Sequence, residues 1–272
     1  MNSAYPSLTP PLKWAGGKRW LARKHASAFP VKFDRYIEPF VGGGAVFFAL
    51  RPSQALISDI NPLIATLYRA LKSNYETVHD KLKLHSQNHS NDYYYCTRAS
   101  RPTDDASIAA WLLYLNRTCY NGLYRVNLRG EFNVPRGTKD KILFDYDDFS
   151  GVSEALRGTE ITHGDFEIVL SQAKDGDFVY IDPPYTVMHN NNGFIKYNEN
   201  IFSWRDQERL AYEAQAAADR GAMILISNAD HKSIWSLYEG RGTISAVARH
   251  SVIGGGAAYR SQSSELLIRL GY

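Results

Sequence analysis

The stretch RYIEPFVGGGAVFFAL, residues 35–50, decides the fold. Residues 35–40 form a short strand candidate that runs into a glycine cluster, Gly42 to Gly44. Residues 45–50 can open a helix, and residues 55–58 (ALIS) read as a second strand stopped by Asp59-Ile60-Asn61-Pro62. The order strand, glycine turn, helix, strand is the beginning of a doubly wound α/β sheet.

The α/β pattern is then interrupted. Residues 62–122 are helical in pattern and rich in tyrosine; Asp105 is placed to cap a helix whose apolar stripe is Ile108, Trp111, Leu112 and Leu115. Residues 123–135 (LYRVNLRGEFNVP) alternate on both sides of Gly130, which predicts a β-hairpin. Strands return at residues 160–162, 177–181 (DFVYI) and 222–227 (AMILIS), with two late ones near residues 243–248 and 264–270. Ser203 and Asp206 have capping-box spacing, and Gly221 ends the helix they begin. The expected organisation is a core of residues 1–61 and 146–272 with an insert at residues 62–145.

Composition agrees with a globular chain. Of 272 residues, 44% are hydrophobic and 22% charged, and no run of about 18 apolar residues predicts a membrane span. The first residues lack the basic-then-apolar pattern of a secretory signal, and the two cysteines, Cys96 and Cys119, suggest neither a metal site nor a disulfide framework. The expected location is the cytoplasm. Net charge is only +3, but it is unevenly spread. Residues 1–24 carry five basic groups and no acid, and residues 117–141 carry six basic against two acidic. Either patch alone is ordinary surface; together they fit a polyanion touched at defined places.

Ligands of doubly wound sheets sit at the carboxyl ends of the strands. Asp59, Asp165 and Asp182 fall there, as does the glycine cluster, whose backbone can approach a ligand closely. Asp59, 15 residues past Gly44, can accept from ribose hydroxyls. Gly16-Gly17-Lys18 lacks the spacing of a nucleotide P-loop. The most informative motif is Asp182-Pro183-Pro184-Tyr185. Two prolines fix the backbone and remove two donors, leaving carbonyls to accept. Acceptors beside a tyrosine ring suit the exocyclic amine of a stacked base.

The segments LKWAGGK, YIEPFVGGGAVFF, ISDIN, YNGLYRVNLRGEFNVPRG, GDF and VYIDPPY together resemble, in this order, the motifs of the Dam/DpnM-type DNA adenine-N6 methyltransferases. The resemblance spans about residues 12–267. It implies a Rossmann-like S-adenosylmethionine-dependent methyltransferase sheet with an inserted, mainly helical target-recognition subdomain carrying the hairpin. It implies S-adenosylmethionine as methyl donor, no metal, double-stranded DNA as partner and no obligate protein partner. Trp14, Lys18, Phe40, Gly42, Gly44 and Asp59 match cofactor-binding positions. Asp165 and Phe166 match those that hold the cofactor's adenine. Asp182, which also borders the cofactor, Pro183 and Tyr185 match the catalytic positions that hold the target adenine. Lys13 would face the DNA bases. Leu123, Arg125 and Pro135 match readers of the outer bases of GATC, and Tyr120 a residue beside the displaced base. Asn121 is open between a DNA contact and a turn role; Arg129 and Arg136 suit phosphates. The C-terminal loop, residues 251–264, lacks the lysines of many relatives and leaves Arg249, His250 and Arg260 to meet phosphates, with Gly254 to Gly256 read as flexibility.

Neither cysteine lies in the Pro-Cys pair that cytosine-C5 transfer uses. Asp182 argues against cytosine-N4 and protein-glutamine methylation, which usually place Ser and Asn there. An RNA adenine methyltransferase stays open as an enzymatic alternative, and a catalytically silent nucleic-acid-binding module as a non-enzymatic one.

Overall fold

The computed structural model describes residues 8–127, 129–188, 202–250 and 262–272. A short helix, α1 (Arg19–Lys24), precedes β1 (Arg35–Glu38), α2 (Ala45–Leu50) and β2 (Ala55–Asp59). A helical stretch follows: α3 (Pro62–Asn88), α4 (Asn91–Ala99), α5 (Asp105–Thr118) and α6 (Phe149–Ala155). Then come β3 (Thr159–His163), α7 (Phe166–Leu170), β4 (Asp177–Ile181), α8 (Trp204–Asp219), β5 (Met223–Ala229), α9 (Lys232–Tyr238), β6 (Thr243–His250) and β7 (Gln262–Leu270). The seven strands lie in the order β3-β2-β1-β4-β5-β7-β6, a mixed sheet of Rossmann-like type. Among the described residues no helix is long and apolar enough to cross a membrane. The residues 251–261, with Gly254 to Gly256 and Arg260, and the side chains of Arg249 and His250 lie outside the description.

The chain divides into two compact units. One takes residues up to 26 together with 41–164, the other residues 27–40 together with those from 165 onward. This division does not follow the expected boundaries at 61/62 and 145/146. In the first unit, α3 packs on β2, β3, α5 and α6, so the helical stretch and two strands share one core.

That core follows from the sequence. Asn61 caps α3 by accepting from the Leu63 N–H at 3.1 Å, with Pro62 at the first helical position. Residues Ile108 to Thr118 of α5 are all buried, which makes it the central rod of the helical stretch. Its cap is Asp104, which accepts from Ser107 N at 2.9 Å, rather than the expected Asp105. Arg117, counted above in a basic patch, is buried. Its guanidinium binds Asp147 at 2.6 and 2.9 Å and the carbonyls of Ile142 and Pro11, and it lies 4.9 Å over Phe144. Removing either partner of such a pair costs about 3–5 kcal/mol.

In the second unit β1 and β4 run parallel, with Arg35 opposite Asp177. Their side chains form an ion pair at 2.7 Å, fixing the register. All five residues of β4 are buried, as expected of a parallel strand covered on both faces. β4 pairs parallel with β5, and β7 runs antiparallel between β5 and β6. The predicted capping box at Ser203 and Asp206 is present at the start of α8.

Candidate active site

In the first unit the glycine turn after β1 is shaped by its neighbours. Gly42 and Gly44 have φ of +44° and +66°, in the left-handed region. A Cβ on Gly42 would sit 2.6 Å from Trp14 Cδ1, and one on Gly44 would sit 2.9 Å from Phe48 Cε2. Trp14 therefore closes over the turn, and the same ring lies 5.3 Å from Tyr124. Asp59 accepts from Gly42 N and from Asn61 N, both at 2.9 Å. Burial pushes its carboxyl up to about 6, against the pull of those two donors. Two of about four lone-pair positions are used, leaving acceptor capacity for hydroxyls. Lys18 is buried and donates to the Gly16 carbonyl at 3.1 Å.

In the second unit Phe40, Phe166 and Phe202 form a ring cluster, with Phe40 stacked on Phe166 at 5.5 Å. Phe40 is half-buried, while Phe166 is buried. Asp165 caps α7 through Glu167 N at 2.9 Å. Both of its oxygens also accept from Arg209, at 2.7 and 2.8 Å, and this holds its carboxyl below the usual carboxylate range. Arg209 further reaches Glu167 at 2.9 Å and Asp206 at 3.1 Å, and covers Phe166 at 4.3 Å. Phe166 thus offers a purine an edge within a cluster rather than an open face. Three of the Asp165 lone-pair positions are occupied, leaving room for about one further N–H.

The tetrapeptide Asp182-Pro183-Pro184-Tyr185 follows β4 directly, and β4 lies beside β1, where the strand order reverses. This is the ligand position of open α/β sheets. Asp182 Oδ1 accepts from the Ser227 hydroxyl at 2.9 Å. The Pro184 carbonyl accepts from Gln207 Nε2 at 3.3 Å, so it is engaged internally, and Asn228 in turn donates to Gln207 at 3.0 Å. Tyr185 OH donates to the buried carboxylate of Glu265 at 3.0 Å. Burial raises the Tyr185 pKa well above the ordinary tyrosine value, with Asp182 and Glu265 adding to it. The phenol keeps its proton and is held by it. Among the described residues no three His, Cys, Asp or Glu are grouped to hold a metal ion.

The residues expected to face DNA lie in the first unit. Asn116 accepts from Lys13 N at 3.0 Å and donates to Lys13 O at 2.8 Å; Lys13 Nζ donates to the Asn121 carbonyl at 3.1 Å. The chain at Lys13 is thereby stapled to the turn Tyr120–Gly122. Asn121 has a left-handed φ of 56°, which marks it as a turn residue. Tyr120, Leu123, Arg125, Arg129 and Pro135 are exposed. The expected hairpin is short. An antiparallel bridge joins Val126 and Phe132, flanked by Asn127 N–H on the Glu131 carbonyl at 2.9 Å and Asn133 N–H on the Arg125 carbonyl at 3.1 Å, and the Asn127 side chain supports the turn by accepting from Arg129 N and Glu131 N. Arg125 donates to Asn133 Oδ1 at 2.8 Å. Arg136 is paired with Asp140, which also meets His89 at 3.2 Å.

Sequence reading missed Ser227, Glu265, Gln207, Arg209 and Asn116. Two left a signal: Ser227 ends an apolar strand with a polar residue, and Glu265 opens the apolar run ELLI.

The family description that matches this chain is the D12 class N6 adenine-specific DNA methyltransferase, over residues 14–252. A type II methyltransferase of Lactococcus lactis subsp. cremoris is 36% identical, covering 86% of this chain and 85% of its own. Another, of Methanocaldococcus jannaschii, is 35% identical over 96% and 98%. The DNA adenine methylase of Escherichia coli K12 is 33% identical over 94% and 93%.

Proposed function

Because the chain belongs to the D12 class of N6 adenine-specific DNA methyltransferases, we propose that it methylates the N6 of an adenine turned out of duplex DNA, at GATC. The family implies S-adenosylmethionine as donor, which supplies a methyl group already activated on a positively charged sulfur. The residues present fit such a ligand. Gly42 and Gly44 are held in a backbone form that leaves no room for side chains, and Asp59 and Asp165 keep acceptor capacity. Trp14, Lys18, Phe40, Gly42, Gly44, Asp59, Asp165, Phe166 and Asp182 would hold it. Asp59 would take ribose hydroxyls, and Asp165 the adenine amine beside the Phe40 and Phe166 rings.

The observation that carries the reading is the acceptor pair after β4. The Pro184 carbonyl is engaged by Gln207 and Asp182 Oδ1 accepts from Ser227, and Asp182 with the Pro183 carbonyl would receive the amine. An adenine N6 lone pair is delocalised into the ring and is a poor nucleophile. Accepting the two N6 protons at Asp182 and Pro183 would localise that lone pair and aim it. The methyl group would leave the donor's sulfur as it bonds to N6, and Asp182 would pass one N6 proton to solvent, so the positive charge carried by the sulfur leaves as that proton. Tyr185, tethered by Glu265, would stack on the base and offset part of the cost of extruding it.

For sequence choice, Lys13, Tyr120, Asn121, Leu123, Arg125 and Pro135 would face the bases, with Arg129 and Arg136 on phosphates. The exposure of Arg125 supports a base-reading role. The test is methyl incorporation from labelled donor into a GATC duplex, followed by nucleoside analysis. N6-methyladenine is expected; methylcytosine, or label in RNA alone, would replace this reading.

A further inference from the structure

We propose that Ser227 is a positioning residue for Asp182, delivering its one hydroxyl proton to that carboxylate because Tyr180 occupies the acceptor side of the same oxygen. This rests on the reading of Asp182 as the group that receives the target amine.

Parallel pairing places Ile181 of β4 opposite Ile226 of β5, so the next step along both strands brings Asp182 to Ser227. The Ser227 oxygen lies 2.9 Å from Asp182 Oδ1 and 3.0 Å from Tyr180 OH. Side chains two apart on a strand share a face, so one hydroxyl on β5 serves both Tyr180 and Asp182. Ser227 is 0% exposed and Tyr180 1%, so this link is buried.

The direction of the chain follows from proton counting. A serine hydroxyl has one proton and two lone pairs, and an ionised carboxylate only accepts. Ser227 therefore donates to Asp182 and accepts from Tyr180. Tyr180 keeps its proton, since burial first and the Asp182 charge second raise its pKa well above the ordinary value. A carboxylate turns readily about its last torsion. A donor fixed on Oδ1 selects one orientation, and the catalytic geometry depends on it.

A structural role alone would make Ser227 merely the partner that satisfies the buried Tyr180 hydroxyl. Two variants separate the two. Ser227→Ala is expected to lower the single-turnover methyl-transfer rate roughly 10- to 100-fold, with S-adenosylhomocysteine and duplex affinities within about twofold of wild type. It also strands the Tyr180 hydroxyl and lowers the melting temperature. Tyr180→Phe in the Ser227→Ala background removes that stranded group, so the melting temperature recovers while the rate stays low. A rate that recovers with the melting temperature, or a Ser227→Ala rate equal to wild type, overturns the proposal.

A second readout needs no DNA. Carbon-13 NMR of the Asp182 carboxyl should show its pKa rising in Ser227→Ala, because a donor to the charged form is lost. An unchanged titration overturns the proposal. If wild-type protein methylates no duplex but the shift is seen, the hydrogen-bond link stands and the assigned function falls.

Discussion

Arg209 grips Asp165 through both carboxylate oxygens, at 2.7 and 2.8 Å, while its guanidinium lies 4.3 Å over the Phe166 ring. Helix α8 thereby fixes the acceptor proposed for the cofactor's adenine. Arg209→Met should weaken S-adenosylhomocysteine by roughly 10-fold, the scale of a lost charge-assisted bidentate contact. It should weaken the inosine analogue less, since that ligand has no amine for Asp165. Calorimetry with both ligands checks this; equal losses would reduce Arg209 to a structural role. The sign for stability also follows. Arg209 depresses the Asp165 pKa, so the pair contributes stability above the ordinary carboxylate pKa and loses it as pH falls. Wild type and variant should converge in acid.

Asp59 behaves in the opposite sense. Its carboxyl stands near 6 against an ordinary 3.8. Its contribution to folding is therefore present below about 3.8 and lost as pH rises through about 6. In the proposed role, ligand binding would need the ionised form, because ribose hydroxyls would donate to it. Affinity for S-adenosylhomocysteine should rise with pH through about 6 and level off at neutrality, with proton release on binding at the lower end. Asp59→Asn should weaken binding and flatten this dependence. Calorimetry in buffers of different ionisation enthalpy checks it; a wild-type affinity flat across that range would remove Asp59 from the site.

Gly42 and Gly16 both have positive φ, yet they should respond differently to alanine. At Gly42 the new Cβ meets Trp14 at 2.6 Å, whereas at Gly16 nothing lies within 4 Å. Gly16→Ala should cost about 1 kcal/mol from backbone strain alone. Gly42→Ala should cost about 2–4 kcal/mol, because strain and displacement of Trp14 add. Urea unfolding of both variants measures the difference, and equal costs would show that Trp14 does not pack on the turn as described.

The sheet was legible because its strands are local signals. DFVYI and AMILIS are apolar runs punctuated by Asp182 and Asn228, and the turn at Gly42 to Gly44 needs a backbone only glycine readily adopts. The capping box at Ser203 was equally local. The hairpin around Gly130 was local too, its turn closed by the Asn127 side chain, which accepts from Arg129 N and Glu131 N. Asp104 and Asp105 are adjacent acids, and composition alone cannot choose the cap between them. Arg117 looked like surface charge because its partner, Asp147, lies 30 residues away. Ser227 and Asp182 are separated by 45 residues, and only the register of β4 against β5 brings them together.

Arg125 and Arg136 should part company on DNA. Arg125 is exposed and its guanidinium rests on Asn133, a weak neutral partner it can leave for guanine. Arg125→Ala should lose about 1–3 kcal/mol of discrimination at one guanine–cytosine pair. Arg136, paired with Asp140, should act on phosphate; Arg136→Ala should weaken all duplexes alike and reduce the salt slope by about 1. Competition binding on GATC duplexes with each outer base changed, at several salt concentrations, checks both. Full discrimination in Arg125→Ala would make it a phosphate contact.

The central claim is that Asp182 and its neighbours methylate adenine N6 in duplex DNA. The direct measurement is to express the wild-type chain and Asp182→Ala in a host without DNA methylation, then sequence the genomic DNA by a method that detects N6-methyladenine at single bases. N6-methyladenine is expected throughout GATC with wild type and almost none with Asp182→Ala, at equal levels of folded protein. N6-methyladenine in another context would remove the GATC assignment and leave the chemistry. No modified adenine with wild type, or undiminished methylation with Asp182→Ala, would contradict the account.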